Sequence, residues 1–348
     1  MEQKQLPIPK HYKSENVGSV WKVNYEERLK DAKEWSMTHS ISPSSEDRYK
    51  ICLIVIDVQN TFCTPEFELY VGGRSGTGAV DDNKRLCEFI YRNLPNITNI
   101  TATLDTHHPI QVFHSLFLVD DNGNHPDPFT LVSADDIKQG KWKFNTGVAQ
   151  ELGIEKEYGQ RLLEHYTGEL KKREKFDLTV WPYHSMLGGI GHALVSSVEE
   201  AIFFHSVARY AQPDIIIKGR HPLTEHYSAL GPEIDTDHKG NKLVEKDDTI
   251  IRKVREYDAV VIAGEAKSHC VAWTVDDLMQ DLEKRDPSLL SKIYLLEDCT
   301  SPVVIPDVID YTDAANKIFD TFAEAGMRIV RSTDPIDKWP GIAKQVSE

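Results

Sequence analysis

The chain has 348 residues, 40% hydrophobic and 27% charged, and a formal net charge of -15, so it can bury a large core and has the composition of an ordinary globular protein. The acidic balance excludes a dominant attraction to nucleic acid or to an anionic membrane surface, and no apolar run approaches the ~18 residues of a membrane span. Chemistry on a small molecule remains, and a cytoplasmic location is expected because no apolar core follows the basic residues of MEQKQLPIPKHYKSENVGSV.

The first ~48 residues are polar and read as an extension, residues 1–48, ahead of one domain over residues 49–348. Short runs rich in Ile and Val then predict strands buried on both faces at Ile51 to Asp57, Ile97 to Leu104, Asp214 to Lys218, Ala259 to Ala263, Ile293 to Glu297 and Arg328 to Arg331. Between them, apolar residues at three- and four-residue spacing predict helices over Asp81 to Asn93, Leu194 to Ala211, His269 to Lys284 and Asp313 to Ala325. Strand alternating with helix implies an α/β fold, a doubly wound and mainly parallel sheet of about six strands with helices on both faces. The span from about Leu118 to Leu178 is too long for a connection and reads as an insertion, with a charged surface helix over Glu155 to Lys175. A second polar excursion, Asp235 to Asp248, reads as a hairpin around Lys239-Gly240-Asn241.

In open parallel sheets ligands lie outside the carboxyl ends of the strands. Asp57, Asp105 and Lys218 end the first three strands and Cys270 starts the helix after the fourth, so four reactive side chains are expected on one rim. A thiol at a helix start is activated, because the helix amides and dipole stabilise a thiolate. A carboxylate such as Asp57 can take its proton, and Lys218, costly to bury alone, needs a carboxylate partner. Each taken singly has a plainer reading: a structural thiol, a capping Asp, a snorkelling Lys. Cys52, Cys87 and Cys299 read as buried thiols.

IDVQNTF, LDTHHP, WPYH, IIIKG with YSA, and GEAKSHCV together resemble, in order, the motif series of the nicotinamidase and isochorismatase-like cysteine hydrolases, and the resemblance spans about Ile51 to Val330. It implies a triad of Asp57, Lys218 and Cys270, an oxyanion hole from the amides of Ala266 and Cys270, and a cis peptide at Glu265-Ala266. It also implies a divalent metal, with Zn2+ the first choice, on Asp105, His107 and His184, with no organic cofactor. His108 and His114 are spare candidates. Phe62, Trp181 and Tyr227 are candidates for stacking on a planar substrate, although core packing would explain each equally well.

The implied activity is amide hydrolysis through a thioester on Cys270, with nicotinamide the first substrate and another small amide, ureido or carbamoyl compound the alternative. A retired enzyme serving as a binding protein is the reading from another class. The partner is a small-molecule amide, with no nucleic acid and no membrane, and by analogy with related enzymes a homo-oligomer is an expectation. The sequence departs from the nicotinamidase pattern in His184-Ser185-Met186, where a cysteine usually follows the histidine, in the glycine-rich Leu187 to Gly191, and in an extra histidine before Pro109.

Overall fold

In a computed structural model, which describes residues 5–173, 175–307 and 309–342, the chain forms two compact units. The first comprises residues up to Leu104, Ala193–Ile216 and the residues from Asp248 onward; the second comprises Asp105–His192 and Ile217–Asp247. No helix among the described residues is long and apolar enough to cross a membrane.

The first unit is organised by a six-stranded parallel sheet of β1 (Ile51–Ile56), β2 (Ile97–Asp105), β3 (Asp214–Lys218), β4 (Ala259–Gly264), β5 (Ile293–Leu296) and β6 (Arg328–Val330), in the order β6-β5-β4-β1-β2-β3. All six match the runs expected from the sequence. The central strands β1 and β4 are buried at every residue, which is why they read as unbroken apolar runs. β3 differs from expectation: it is an edge strand, and Ile215 and Ile217 are 47% and 49% exposed. Lys253 on α5 (Thr249–Glu256, numbered below) ties its first residue down, donating from Nζ to Asp214 Oδ2 at 2.6 Å.

The helices of eight or more residues among the described ones are α1 (Tyr25–Thr38), α2 (Gly78–Arg92), α3 (Lys156–Lys172), α4 (Ser196–Arg209), α5, α6 (Cys270–Arg285) and α7 (Thr312–Glu324). Four of them correspond to the predicted amphipathic stretches. The extension is more than an appendage, because Tyr12, Val17, Ala32 and Ile41 are buried in the same apolar cluster as β1 and β4. α1 has no apolar stripe to announce this. It packs through Arg28, 5% exposed, whose guanidinium meets Asp31 at 2.7 Å and Glu200 of α4 at 3.5 Å.

The second unit has its own apolar cluster, including Phe113, Phe117, Phe144, Leu162, Leu163, Tyr166 and Leu178. It runs beyond the expected insertion at both ends and takes in the 217–247 segment as well. α3 was expected as a charged surface helix, yet Leu162, Leu163, Tyr166 and Leu170 lie buried along one side of it. Their spacing is the i, i+4 register of an amphipathic face, diluted in the sequence by the surrounding Lys and Glu. Glu174, part of the same charge run, lies outside the described residues. The hairpin at Lys239-Gly240-Asn241 is present: the Asp237 amide donates to Asn241 O and the Leu243 amide to Asp235 O.

Candidate active site and metal centre

In the first unit, β1 and β4 pair so that Ile56 lies opposite Gly264. The residues that follow, Asp57 and Glu265, therefore leave adjacent strand ends. Asp57 is fully buried with φ of +46°, a conformation in which its turn is fixed by two bonds to one side chain. The Thr103 hydroxyl accepts the Asp57 amide at 2.9 Å and donates to its Oδ1 at 2.5 Å. Gly264 has φ of +118° and its α-carbon lies so close to β1 that a Cβ would stand 2.1 Å from Ile56 O. No other residue fits there. The Glu265-Ala266 peptide is cis, and five residues after Glu265 the chain enters α6 at Cys270, which is 8% exposed. The thiol thus stands at the first residue of a 16-residue helix, where the helix amides favour a thiolate. The amides of His269 and Val271 are both held by Ala266 O, at 3.0 and 3.2 Å, which tightens the turn carrying the thiol. Cys52, Cys63, Cys87 and Cys299 are buried free thiols; burial raises each above the ordinary thiol value.

The second unit brings together Asp105, His107, His184 and Lys218. Asp105, His107 and His184 are each at most 5% exposed, and one ligand atom from each lies within 4.8 Å of the others. His107 Nδ1 faces Gly219 O at 3.3 Å and His184 Nδ1 faces Pro182 O at 2.8 Å, so both Nδ1 atoms serve as donors. This assigns the lone pair of each ring to Nε2. Those two Nε2 atoms lie 2.6 and 3.5 Å from Asp105 Oδ2. Three side chains able to offer a lone pair therefore converge, a donor set that could hold a divalent cation. Lys218 Nζ donates to Asp105 Oδ1 and to His226 O, each at 2.9 Å, so the carboxylate is bridged from its other oxygen. Burial opposes ionisation of Asp105, but His107 and Lys218 outweigh it and hold the carboxyl well below the usual carboxylate range. Burial lowers the His107 pKa against the pull of Asp105, in the direction that favours a ligating ring.

Gly219, with φ of +83°, packs against this group: a Cβ would stand 2.8 Å from Asp105 Oδ1 and 2.9 Å from His107 Cε1. Of the two spare histidines, His108 is exposed and His114 is fully buried. His114 Nδ1 donates to His108 O at 3.1 Å, its Nε2 has no hydrogen-bond partner, and burial pushes its pKa down to about 3. Its ring centre is 6.0 Å from His107 and 6.1 Å from His184, making it a third imidazole beside the cluster.

Of the stacking candidates, Phe62 is half-buried against the apolar cluster of the first unit. Trp181 and Tyr227 are joined to each other in the second unit: Trp181 Nε1 donates to Glu225 Oε1 at 2.7 Å and to Tyr227 Oη at 3.2 Å. Glu225 was not singled out from the sequence. It is 6% exposed, and burial followed by the charge of Glu233 raises its pKa to about 8.

Solved structures of known proteins are similar to this chain at low identity. A nicotinamidase/pyrazinamidase of Acinetobacter baumannii is 18% identical with a TM-score of 0.47, over 83% of this chain and 99% of that one. The yeast nicotinamidase bound to the inhibitor nicotinaldehyde is 17% identical with a TM-score of 0.49, over 81% and 99%. N-carbamoylsarcosine amidase of Thermoplasma acidophilum is 15% identical with a TM-score of 0.39, over 82% and 99%. No protein-family model matches the chain, and no curated protein sequence matches it significantly.

Proposed function

We propose that the protein is a metal-assisted cysteine hydrolase of small carboxamides, with nicotinamide as its first substrate. The observation that carries this reading is the convergence of buried Asp105, His107 and His184 on a shared point, with each imidazole Nδ1 facing a backbone carbonyl. A Zn2+ ion held there would act as a Lewis acid toward a ring nitrogen or carbonyl oxygen of the substrate.

In this proposal Asp57 takes the proton of Cys270, and the thiolate attacks the carboxamide carbon while the amides of Ala266 and Cys270 hold the oxyanion. Asp57 returns the proton to the departing ammonia. It then takes a proton from water, whose oxygen attacks the thioester; the C–S bond breaks, the acid is released and the thiol is restored. Lys218, whose buried ammonium donates to Asp105 Oδ1 at 2.9 Å, is proposed as the third member of the triad. Phe62, Trp181 and Tyr227 are proposed to line the substrate, with Trp181 and Tyr227 acting as one hydrogen-bonded unit. A homo-oligomer in the cytoplasm is proposed by analogy with related enzymes.

The test is ammonia release from nicotinamide by the purified protein, with metal analysis of the same sample and Cys270→Ala as control. Release that the substitution abolishes, with about one metal per chain, is the expected result. No release from nicotinamide, but release from an N-carbamoyl compound, would move the substrate while keeping the chemistry. Full activity in Cys270→Ala would remove the mechanism.

A further inference from the structure

The turn that presents Cys270 is anchored by a second pair of acidic residues that the reaction above does not use. Glu265, 1% exposed, directly follows β4; Asp82, 3% exposed, lies in the first turns of α2. Glu265 Oε2 accepts the Ser301 amide at 3.2 Å, and Asp82 Oδ1 accepts Arg85 Nη2 at 2.7 Å. Their remaining oxygens, Glu265 Oε1 and Asp82 Oδ2, are both buried with no well-aligned donor, although the Ser301 side chain also stands against Asp82. The two carboxyl groups are in hydrogen-bond contact with each other. Two acceptors that touch in a buried site cannot both be ionised and unsolvated, whereas one proton between them turns two orphaned oxygens into a single bond.

The surroundings are built around this contact. A Cβ on Gly78 would stand 2.7 Å from Ser301 Oγ, so the start of α2 is pressed against the residue that caps Glu265. Ser301 in turn accepts the Lys267 amide at 2.8 Å, so Glu265 and Lys267 are both fastened to Ser301. The four residues from Lys267 to Cys270 then have a fixed origin. We propose that Asp82 and Glu265 share one proton and act together as positioning residues, a clamp from α2 to the turn that orients the Cys270 thiol and the amides beside it.

Burial, followed by the charge of Asp82, holds Glu265 well above the usual carboxylate range, and burial also raises Asp82. The other ionisable groups facing the pair are Arg85 on α2, Cys63 and Tyr70 from the segment after β1, Cys299 after β5, and Lys267 on the turn. Arg85 is the cation that offsets the single remaining negative charge of the pair.

The inference rests on the proposed role of Cys270, and its test is chosen to read the clamp whether or not nicotinamide is the substrate. Carbamidomethylation of Cys270 by iodoacetamide is followed by peptide mass spectrometry in wild type, Glu265→Gln, Glu265→Ala and Asp82→Asn. Gln can donate an amide N–H to Asp82 where the shared proton stood and still accept from Ser301, so Glu265→Gln and Asp82→Asn should stay within about two-fold of wild type, while Glu265→Ala slows the reaction about 10-fold. In ammonia release the same Ala variant should lose kcat with little change in KM, and Gln should restore it. A difference infrared spectrum should show a protonated-carboxyl stretch in wild type that weakens in Glu265→Gln; the band that Glu225 contributes is common to both and cancels. Equal Cys270 reactivity in wild type and Glu265→Ala, or equal loss in the Gln and Ala variants, would overturn the clamp. Loss of ammonia release from every amide, with the alkylation pattern as expected, would overturn the substrate reading and leave the clamp standing.

Discussion

Gly219 shows how much of the candidate metal centre depends on one missing side chain. It lies in the left-handed region at +83°, its carbonyl accepts from Gln111 Nε2 at 2.6 Å, and His107 Nδ1 faces the same carbonyl. A Cβ would displace either the Asp105 carboxylate or the His107 ring, and alanine also resists the backbone conformation, a cost of about 1–2 kcal/mol. Gly219→Ala should therefore weaken metal binding by more than about 10-fold, measured by competition with a chelating dye, while the far-ultraviolet circular dichroism is unchanged. Metal affinity equal to wild type would mean that the cluster tolerates a rearranged His107.

At the scale of elements, the Trp-Pro-Tyr-His turn and the segment carrying Tyr227 are held together through Glu225. Glu225 Oε1 accepts from Trp181, its amide donates to Tyr166 Oη of α3 at 3.3 Å, and its carbonyl accepts the Glu233 amide at 2.8 Å. Glu233 is itself held by Lys175 at 2.5 Å. The ordinary glutamate pKa is 4.5 and the folded value is about 8, so between these limits the unfolded chain releases a proton that the folded chain keeps. The stability that Glu225 contributes is thus complete below about pH 4.5 and is lost as the pH rises through about 8. Glu225→Gln should be no more stable than wild type at pH 5 and clearly more stable at pH 8.5, read as the difference in Tm. A difference independent of pH would show that Glu225 is ionised in the folded protein.

The strand ends were the legible part of the sequence, because buried parallel strands are continuous apolar runs and a polar residue closing such a run is conspicuous. Asp57, Asp105 and Lys218 stand out in this way, and Cys270 does so by opening the following helix. Glu265 and Asp82 were not legible, since their significance is a contact between segments far apart in the chain. Glu225 was hidden for the same reason: its partner Trp181 comes 44 residues earlier. The packing of α1 was not legible because it is made by Arg28 and an aromatic edge, with the Trp35 ring centre 6.4 Å from that of Phe204, rather than by an apolar stripe.

Across the molecule, all three proposed metal ligands and Lys218 belong to the second unit, whose apolar cluster is its own. The cation site should therefore track the stability of that cluster. Leu162 is fully buried in it, and Leu162→Ala should cost about 2–5 kcal/mol in urea denaturation. Saturating Zn2+ should recover part of this loss, because a ligand that binds only the folded form stabilises it by mass action. Leu53→Ala, a change of the same size in the β1 core of the first unit, is expected to be recovered less by Zn2+. Equal recovery in both variants would mean that the two clusters unfold as one.

The pairing of β1 with β4 sets the order in which the molecule can be made. Ile51 meets Ala259 across the centre of the sheet, with the whole second unit encoded between them. A nascent chain emerging from the ribosome can join β1 to β2 early, but the other edge of β1 stays open through the synthesis of some two hundred further residues. During that interval a strand reading ICLIVI is exposed along one side, the kind of segment that captures a neighbouring chain. Recombinant yield should accordingly depend on slow translation and chaperone supply more than on the stability of the finished protein.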